Sequence, residues 1–212
     1  MVKRIIDKQI IFDKAVELGH QSSWDGFSLS HLASELNCSL NAINVHFRSK
    51  DDIAEMLFDK ADQVMLANAC QENFNLLSSD DRLLECILCW FDSLSVNKKL
   101  VQDILLYKLE PGHFHLQSHG ITRISRTVQW FREASTRKQQ GLEKVADELT
   151  ITSAYLASFS FFLFDKSRHH SETRKLLKRL LENLRRAKRC FTSFSNRYHY
   201  DRKRCKNRKS LN

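Results

Sequence analysis

The chain has 212 residues, 42% of them hydrophobic and 28% charged, with a formal net charge of +9; this is ordinary globular usage and excludes wholesale disorder. Five glycines and one proline are too few for the turns of a doubly wound sheet or a β-sandwich, so composition points to an all-α chain. No GxGxxG or GxxxxGK[ST] occurs, which excludes glycine-rich phosphate loops.

Ile11, Ala15 and Leu18 recur at helical spacing and predict a first helix, interrupted over Gly19 to Gly26. Leu29, Leu32, Ala33 and Leu36 predict a second, with Ser28 as its N-cap. After a break at Asn37-Cys38, Ser39 caps a third, short helix in which Ile43 and Phe47 share a face. Ser49-Lys50-Asp51-Asp52 is a Ser-x-x-Asp capping signal for a long helix that turns Ile53, Leu57, Ala61 and Val64 inward. Leu84, Ile87, Leu88 and Phe91 form the next stripe. A helix over Val101 to Leu109 stops at Pro111-Gly112. Another follows over Ile121 to Phe131, then a polar link from Thr136 to Gly141. The helix carrying Ile151, Tyr155, Phe159 and Phe162 is apolar around most of its circumference. The last sets Leu177, Leu180, Leu181 and Leu184 against Lys175, Lys178, Arg179, Arg185 and Arg186. No apolar run approaches the ~20 residues that span a bilayer, the longest lying around Phe159 to Phe164.

Charge is unevenly placed. Residues 166–212 hold 17 Lys and Arg against 3 Asp and Glu, whereas residues 1–165 hold 17 against 22. The end of the chain, RYHYDRKRCKNRK from Arg197 to Lys209, has almost nothing to bury, and residues 192–212 are expected to form a disordered basic tail. Such a tail attracts polyanions, nucleic acid or anionic lipid alike, or simply keeps the protein in solution. Cys38, Cys70, Cys86, Cys89, Cys190 and Cys205 sit in a long helical chain without a secretion signal, so reduced thiols and a cytoplasmic location are expected.

Two short helices joined by a few residues and locked by Leu29, Leu32, Ala33, Leu36, Ile43 and Phe47 make a helix-turn-helix, whose second helix fits the major groove. Ser39, Asn41, Ala42, Asn44 and His46 then face outward. Asparagine reads adenine bidentately, serine and histidine bond bases or phosphates, and alanine touches a thymine methyl.

At these residues the chain resembles a family. HLASELNCSLNAINVHFRSKDDI, residues 31–53, is similar to the TetR-type transcriptional regulators: Leu32-Ala33, Ser39, His46-Phe47 and Ser49-Lys50 match position by position, and IFDKAVELG fits the family's first helix. The chain departs from the pattern at Asn44, where the family usually has a phosphate-contacting tyrosine, and at Ser23, where a glycine is common. The resemblance implies a TetR-like fold: a three-helix DNA-binding domain over 1–65, with the helix-turn-helix at about 28–47, then a helical ligand-binding and dimerisation domain over 66–191. Ser28, Ser39, Asn41, Ala42, Asn44, His46, Arg48 and Lys50 would contact double-stranded DNA. Residues 1–60 hold 7 basic against 9 acidic residues, so phosphate neutralisation would rest on Lys3, Arg4, Lys8, Arg48 and Lys50.

The family also implies a homodimer through the last two helices, roughly 143–164 and 171–190, and an inducer cavity in the second domain. Trp90, Trp130, Tyr155, Phe159 and Phe162 could line only an apolar cavity, which suits a lipid-like or aromatic effector; packed core is the other reading of these rings. A looser similarity links Trp130-Phe131-x-Glu133-Ala134 and FDKSRHHSETRKLLKRL, Phe164 to Leu180, to the lipid-binding accessory protein of coenzyme Q biosynthesis and its bacterial relatives. It implies the alternative of a lipid binder on the same fold, its basic last helix and tail resting on an anionic membrane. No cofactor or metal is expected. Cys86-x-x-Cys89 has no second ligand pair, and His113, His115, His119 and His169-His170 read as connector residues. With no nucleophile elbow or HExxH, an enzyme is not expected either. The resulting expectation is a ligand-responsive repressor acting as a homodimer on a palindromic operator.

Overall fold

The computed structural model describes residues 6–109 and 114–186, with backbone alone over 114–119. The helix α1 (Lys8–Ser22) starts at Asp7, whose carboxylate accepts the Gln9 N–H at 2.9 Å, and buries Ile11, Phe12, Ala15 and Leu18. It runs on through Gly19 instead of breaking there. A Cβ at Gly19 would lie 2.5 Å from Leu100 Cδ1, so the missing side chain lets α1 press against α6 (Lys98–Leu109). The helix ends at Ser23, held at φ 70°, ψ 165°, a region suited to glycine. Trp24 and Phe27 then turn into the core, their rings edge to face at 5.3 Å.

Side-chain caps set the next three starts. Ser28 accepts the His31 N–H at 3.1 Å to open α2 (Leu29–Glu35), and Ser39 accepts the Ala42 N–H at 3.2 Å to open α3 (Leu40–Asn44). Between them Asn37 takes φ 49°, a left-handed turn that asparagine tolerates. Ser49 and Asp52 form a reciprocal capping box for α4 (Lys50–Ala69); the Asp52 carboxylate also accepts the Arg48 N–H at 2.8 Å. Leu32, Ala33, Ile43 and Phe47 are buried against Ile11, Ala15, Ile53 and Leu57, closing a three-helix unit. Along α4 the buried row continues from Ala61 to Met65. Val64 is 49% exposed, because four-residue steps from Ile53 arrive at Met65 and pass it by.

Beyond a 3₁₀ turn at Glu72–Leu76, α5 (Ser79–Ser95) lies along α4 and is itself wrapped by α6, α7 (Phe114–Ala134) and α8 (Gly141–Phe164). A second 3₁₀ turn at Arg168–His170 leads into α9, over 171–186. There is no strand among the described residues. Both α6 and α7 begin earlier than the apolar pattern predicts, and Ile121 is 72% exposed on α7. Asp165 joins α8 to α9: its carboxylate accepts the Ser167 N–H at 2.8 Å, the Thr173 N–H at 2.9 Å and the Thr173 hydroxyl at 2.7 Å. Burial works against that charge, yet these hydrogen bonds outweigh it and hold the carboxyl well below the usual aspartate range. Pro111-Gly112, the 113–119 histidine side chains, Lys3, Arg4 and the 192–212 tail lie outside the described residues. The domain boundary expected at 65 falls within α4, which passes unbroken from the first unit into the second.

Candidate nucleic-acid interface

With Ile43 and Phe47 pinned inward, helical geometry turns the rest of α3 to the surface. Ser39, Asn41 and Asn44 are exposed, Ala42 and His46 half-buried, and Arg48 exposed just beyond. Ser28 is exposed one cap earlier, its hydroxyl also 2.7 Å from that of Ser30. Seven of the eight residues singled out from sequence are therefore exposed or half-buried. Two apolar neighbours were missed. Leu40 and Val45 are exposed, Val45 at 71%, and add to Ala42 as aliphatic groups of a kind that meets a thymine methyl. Their signal was available: they occupy steps within and just after α3 that the Ile43–Phe47 face leaves open.

Lys50 is placed differently from the other seven. Its ammonium donates to the Phe27 carbonyl at 2.6 Å and lies 4.3 Å from the Phe27 ring centroid, 5.5 Å from Trp24 and 5.7 Å from Tyr107. Burial lowers its basicity, opposed by nearby Asp25. The side chain thus ties the start of α4 to the α1–α2 loop and to α6. Lys8, expected at a phosphate, lies 5.3 Å over the Phe47 ring.

Behind this surface α4 carries an acidic row facing cations from two other helices. Lys108 Nζ is 2.6 Å from Asp51 and 2.7 Å from Glu55. Arg123 bonds Asp62 at 2.6 Å and also Asp59, while Arg126 reaches Glu55 at 3.3 Å. Asp62 further accepts the Trp90 indole N–H at 2.8 Å and the Thr127 hydroxyl at 3.2 Å. Burial raises its carboxyl, against the pull of Arg123 and these two donors. The period Asp51, Glu55, Asp59, Asp62 stands in the sequence and could have revealed this face; its partners, more than forty residues on, could not be read.

The rings assigned to an effector cavity pack against one another. Trp90 lies 5.4 Å from both Tyr155 and Phe159, Tyr155 stacks on Phe159 at 5.7 Å, and Phe162 stacks on Phe91 at 5.1 Å. Burial pushes the Tyr155 hydroxyl upward in pKa. Trp130 stands apart, 41% exposed on α7. These side chains fill the space between α5 and α8, because flat rings at such spacing close-pack. A cavity of about 330 Å³ opens elsewhere, and none of the five lines it. Its walls include Asp80, Arg137, Asp147 and Arg185 beside Leu83, Leu181 and Leu184. The Cys86 thiol is buried and pushed up to about 12 by desolvation, and burial raises Cys89 as well; neither has the thiolate character of a reactive site. No metal-holding cluster of His, Cys, Asp and Glu occurs among the described residues. None of their helices is long and apolar enough to cross a membrane.

No protein-family model and no curated protein matches the chain. Among solved structures it is 37% identical to the TetR transcriptional regulator of Nitrosomonas europaea ATCC 19718, with a TM-score of 0.73 and a match covering 84% of this chain and 97% of that one. A regulator of the TetR/AcrR family from Thermobifida fusca YX-ER1 shares the fold at 17% identity and a TM-score of 0.53, over 82% of this chain and 96% of that one. The similarity to the coenzyme Q accessory protein has no counterpart in these matches. With its capped helix-turn-helix and this degree of identity over nearly the whole of the Nitrosomonas regulator, the chain belongs to the TetR family of transcriptional regulators.

Proposed function

We propose that the protein binds a palindromic DNA operator as a homodimer, represses transcription there, and releases on binding a small effector. The observation that carries the reading is α3: a short helix locked by buried Ile43 and Phe47 that offers Ser39, Asn41 and Asn44 to solvent. Asn41 and Asn44 take the base-reading role, Ser28, Ser39 and Arg48 bond phosphates, and Ala42, His46 and Val45 complete the groove contact. Lys50 positions the start of α4 from its aromatic surround.

Apolar groups exposed on α8 support dimerisation. Its outer face leaves Leu142, Val145, Leu149, Phe161 and Phe164 exposed, an apolar seam that a second copy would cover and that water would not. Two-fold pairing brings two copies of α3 to half-sites about 34 Å apart.

The test is selection of DNA sites at near-physiological salt, with the full chain and with 192–212 removed. A palindrome enriched by both forms is the expected result. Asn41→Ala and Asn44→Ala should each weaken that site about 5- to 150-fold, as loss of a bidentate base contact does, and leave the melting temperature unchanged. Enrichment that disappears with the tail would mean sequence-independent attraction alone. Binding to anionic vesicles without any selected site would instead favour the lipid reading and the exposed basic face of α9.

A further inference from the structure

The cavity of about 330 Å³ lies where the start of α5, the α7–α8 link, α8 and α9 meet. Its size is at the low end of ligand sites, about 300–1,000 Å³, and its walls combine two chemistries. Leu83, Leu181 and Leu184 supply an apolar side, and Arg137 and Gln139 of the link supply a polar one.

Every charge on the polar wall already has a partner. Arg137, 10% exposed, bonds Asp147 at 2.7 Å and Asp80 at 2.5 Å through its two terminal nitrogens. Asp80 also takes Arg185 at 2.9 Å, and Asp147 takes Arg132 at 3.4 Å. Two buried hydrogen-bonding atoms of the link remain. Arg137 Nε and Gln139 Oε1 are buried and have no partner, a condition that costs free energy until something supplies the missing bonds. A charged ligand would add an uncompensated charge to a balanced wall, or would have to break an existing pair. A neutral group with an acceptor for Arg137 and a donor for Gln139 completes the wall and leaves its pairs intact. An amide does both, and pairs reciprocally with the Gln139 amide whichever way that side chain is turned.

We infer that this cavity is a binding site for a small neutral amide or lactam with an apolar body, the amide on Arg137 and Gln139 and the body on the three leucines. As the effector site it rests on the ligand-responsive reading above: it joins α5 to the α8–α9 pair, so an occupant there acts on the packing of the dimerising helices.

The probes are hexanamide, hexanoate and hexylamine, titrated into the DNA-free full-length protein with methyl NMR of Leu83, Leu181 and Leu184. Hexanamide should shift these methyls saturably, with at least about tenfold lower half-saturation than either charged probe. Gln139→Leu should remove that preference, and Leu184→Trp should fill the cavity and abolish all three responses, each variant melting as the parent does. Equal response to the three probes, no saturable shift, or a preference that survives Gln139→Leu overturns the site. A separate titration of the selected operator reads the regulatory role: lowered operator affinity with hexanamide is expected. Saturated methyls with unchanged operator affinity would overturn the effector role while leaving the site standing, and loss of the operator itself would count only against the DNA reading.

Discussion

Ser23→Gly should stabilise the protein. Ser23 closes α1 at φ 70°, ψ 165°, where a Cβ is strained by about 1–3 kcal/mol, and its exposed hydroxyl makes no hydrogen bond among the described residues. Glycine removes the strain but gives back about 0.5–1 kcal/mol in backbone entropy on folding. With mid-range values the balance is a gain of about 1.25 kcal/mol, and for a chain of this length each kcal/mol raises the melting temperature by about 2–4 °C. Thermal unfolding followed by far-UV circular dichroism should therefore show an increase of about 2–5 °C. Urea unfolding should show a higher midpoint with an unchanged slope. Ser23→Ala is the control: it keeps the Cβ and the strain, and should lie within about 0.5 kcal/mol of the parent. A glycine variant no more stable than the alanine variant would refute the reasoning, since the two differ in the strained atom alone.

Lys108→Met removes the cation between Asp51 and Glu55, two acids held almost out of water. Chemical unfolding should register a loss of about 3–5 kcal/mol, less than additive with Asp51→Asn because the two side chains share one ion pair. Asp165→Asn should destabilise at neutral pH by an amount that shrinks in acid. The folded-state carboxyl is held below its unfolded value near 3.9, so its contribution is complete above that value and is lost as pH falls through the folded one. Melting temperatures of parent and variant measured from pH 7 down to about pH 2 should converge; a constant gap would show that the charge is not the cause.

Local chemistry was the readable part of this chain. Ser28, Ser39 and the Ser49–Asp52 box each act within three or four residues, and the structure puts each where the sequence places it. Buried faces with a clean period, such as Ile11–Ala15–Leu18 and Ile151–Tyr155–Phe159–Phe162, were equally plain. What escaped was set by partners distant in sequence. Lys50 looks like a free cation at a helix start until Tyr107 and the Phe27 carbonyl close on it. Trp90 and Tyr155 read as core or, with less weight, as a pocket lining, because ring count says nothing about whether the rings meet. The cavity is built by Arg137 and Gln139 in a polar link, a stretch in which sequence patterns mark only a loop.

The continuity of α4 has a mechanical consequence. Twenty residues at 1.5 Å each make a rod about 30 Å long, gripped at one end beside Arg48 and Ser49 and at the other by α5 around Met65. A rigid rod magnifies rotation: a tilt of about 5° at the Met65 end carries the other end through about 2–3 Å. Hydrogen bonds to base edges tolerate only a few tenths of an ångström. The base-reading role proposed for Asn41 and Asn44 would thus depend as much on how tightly Met65 is seated as on Phe47 at their side.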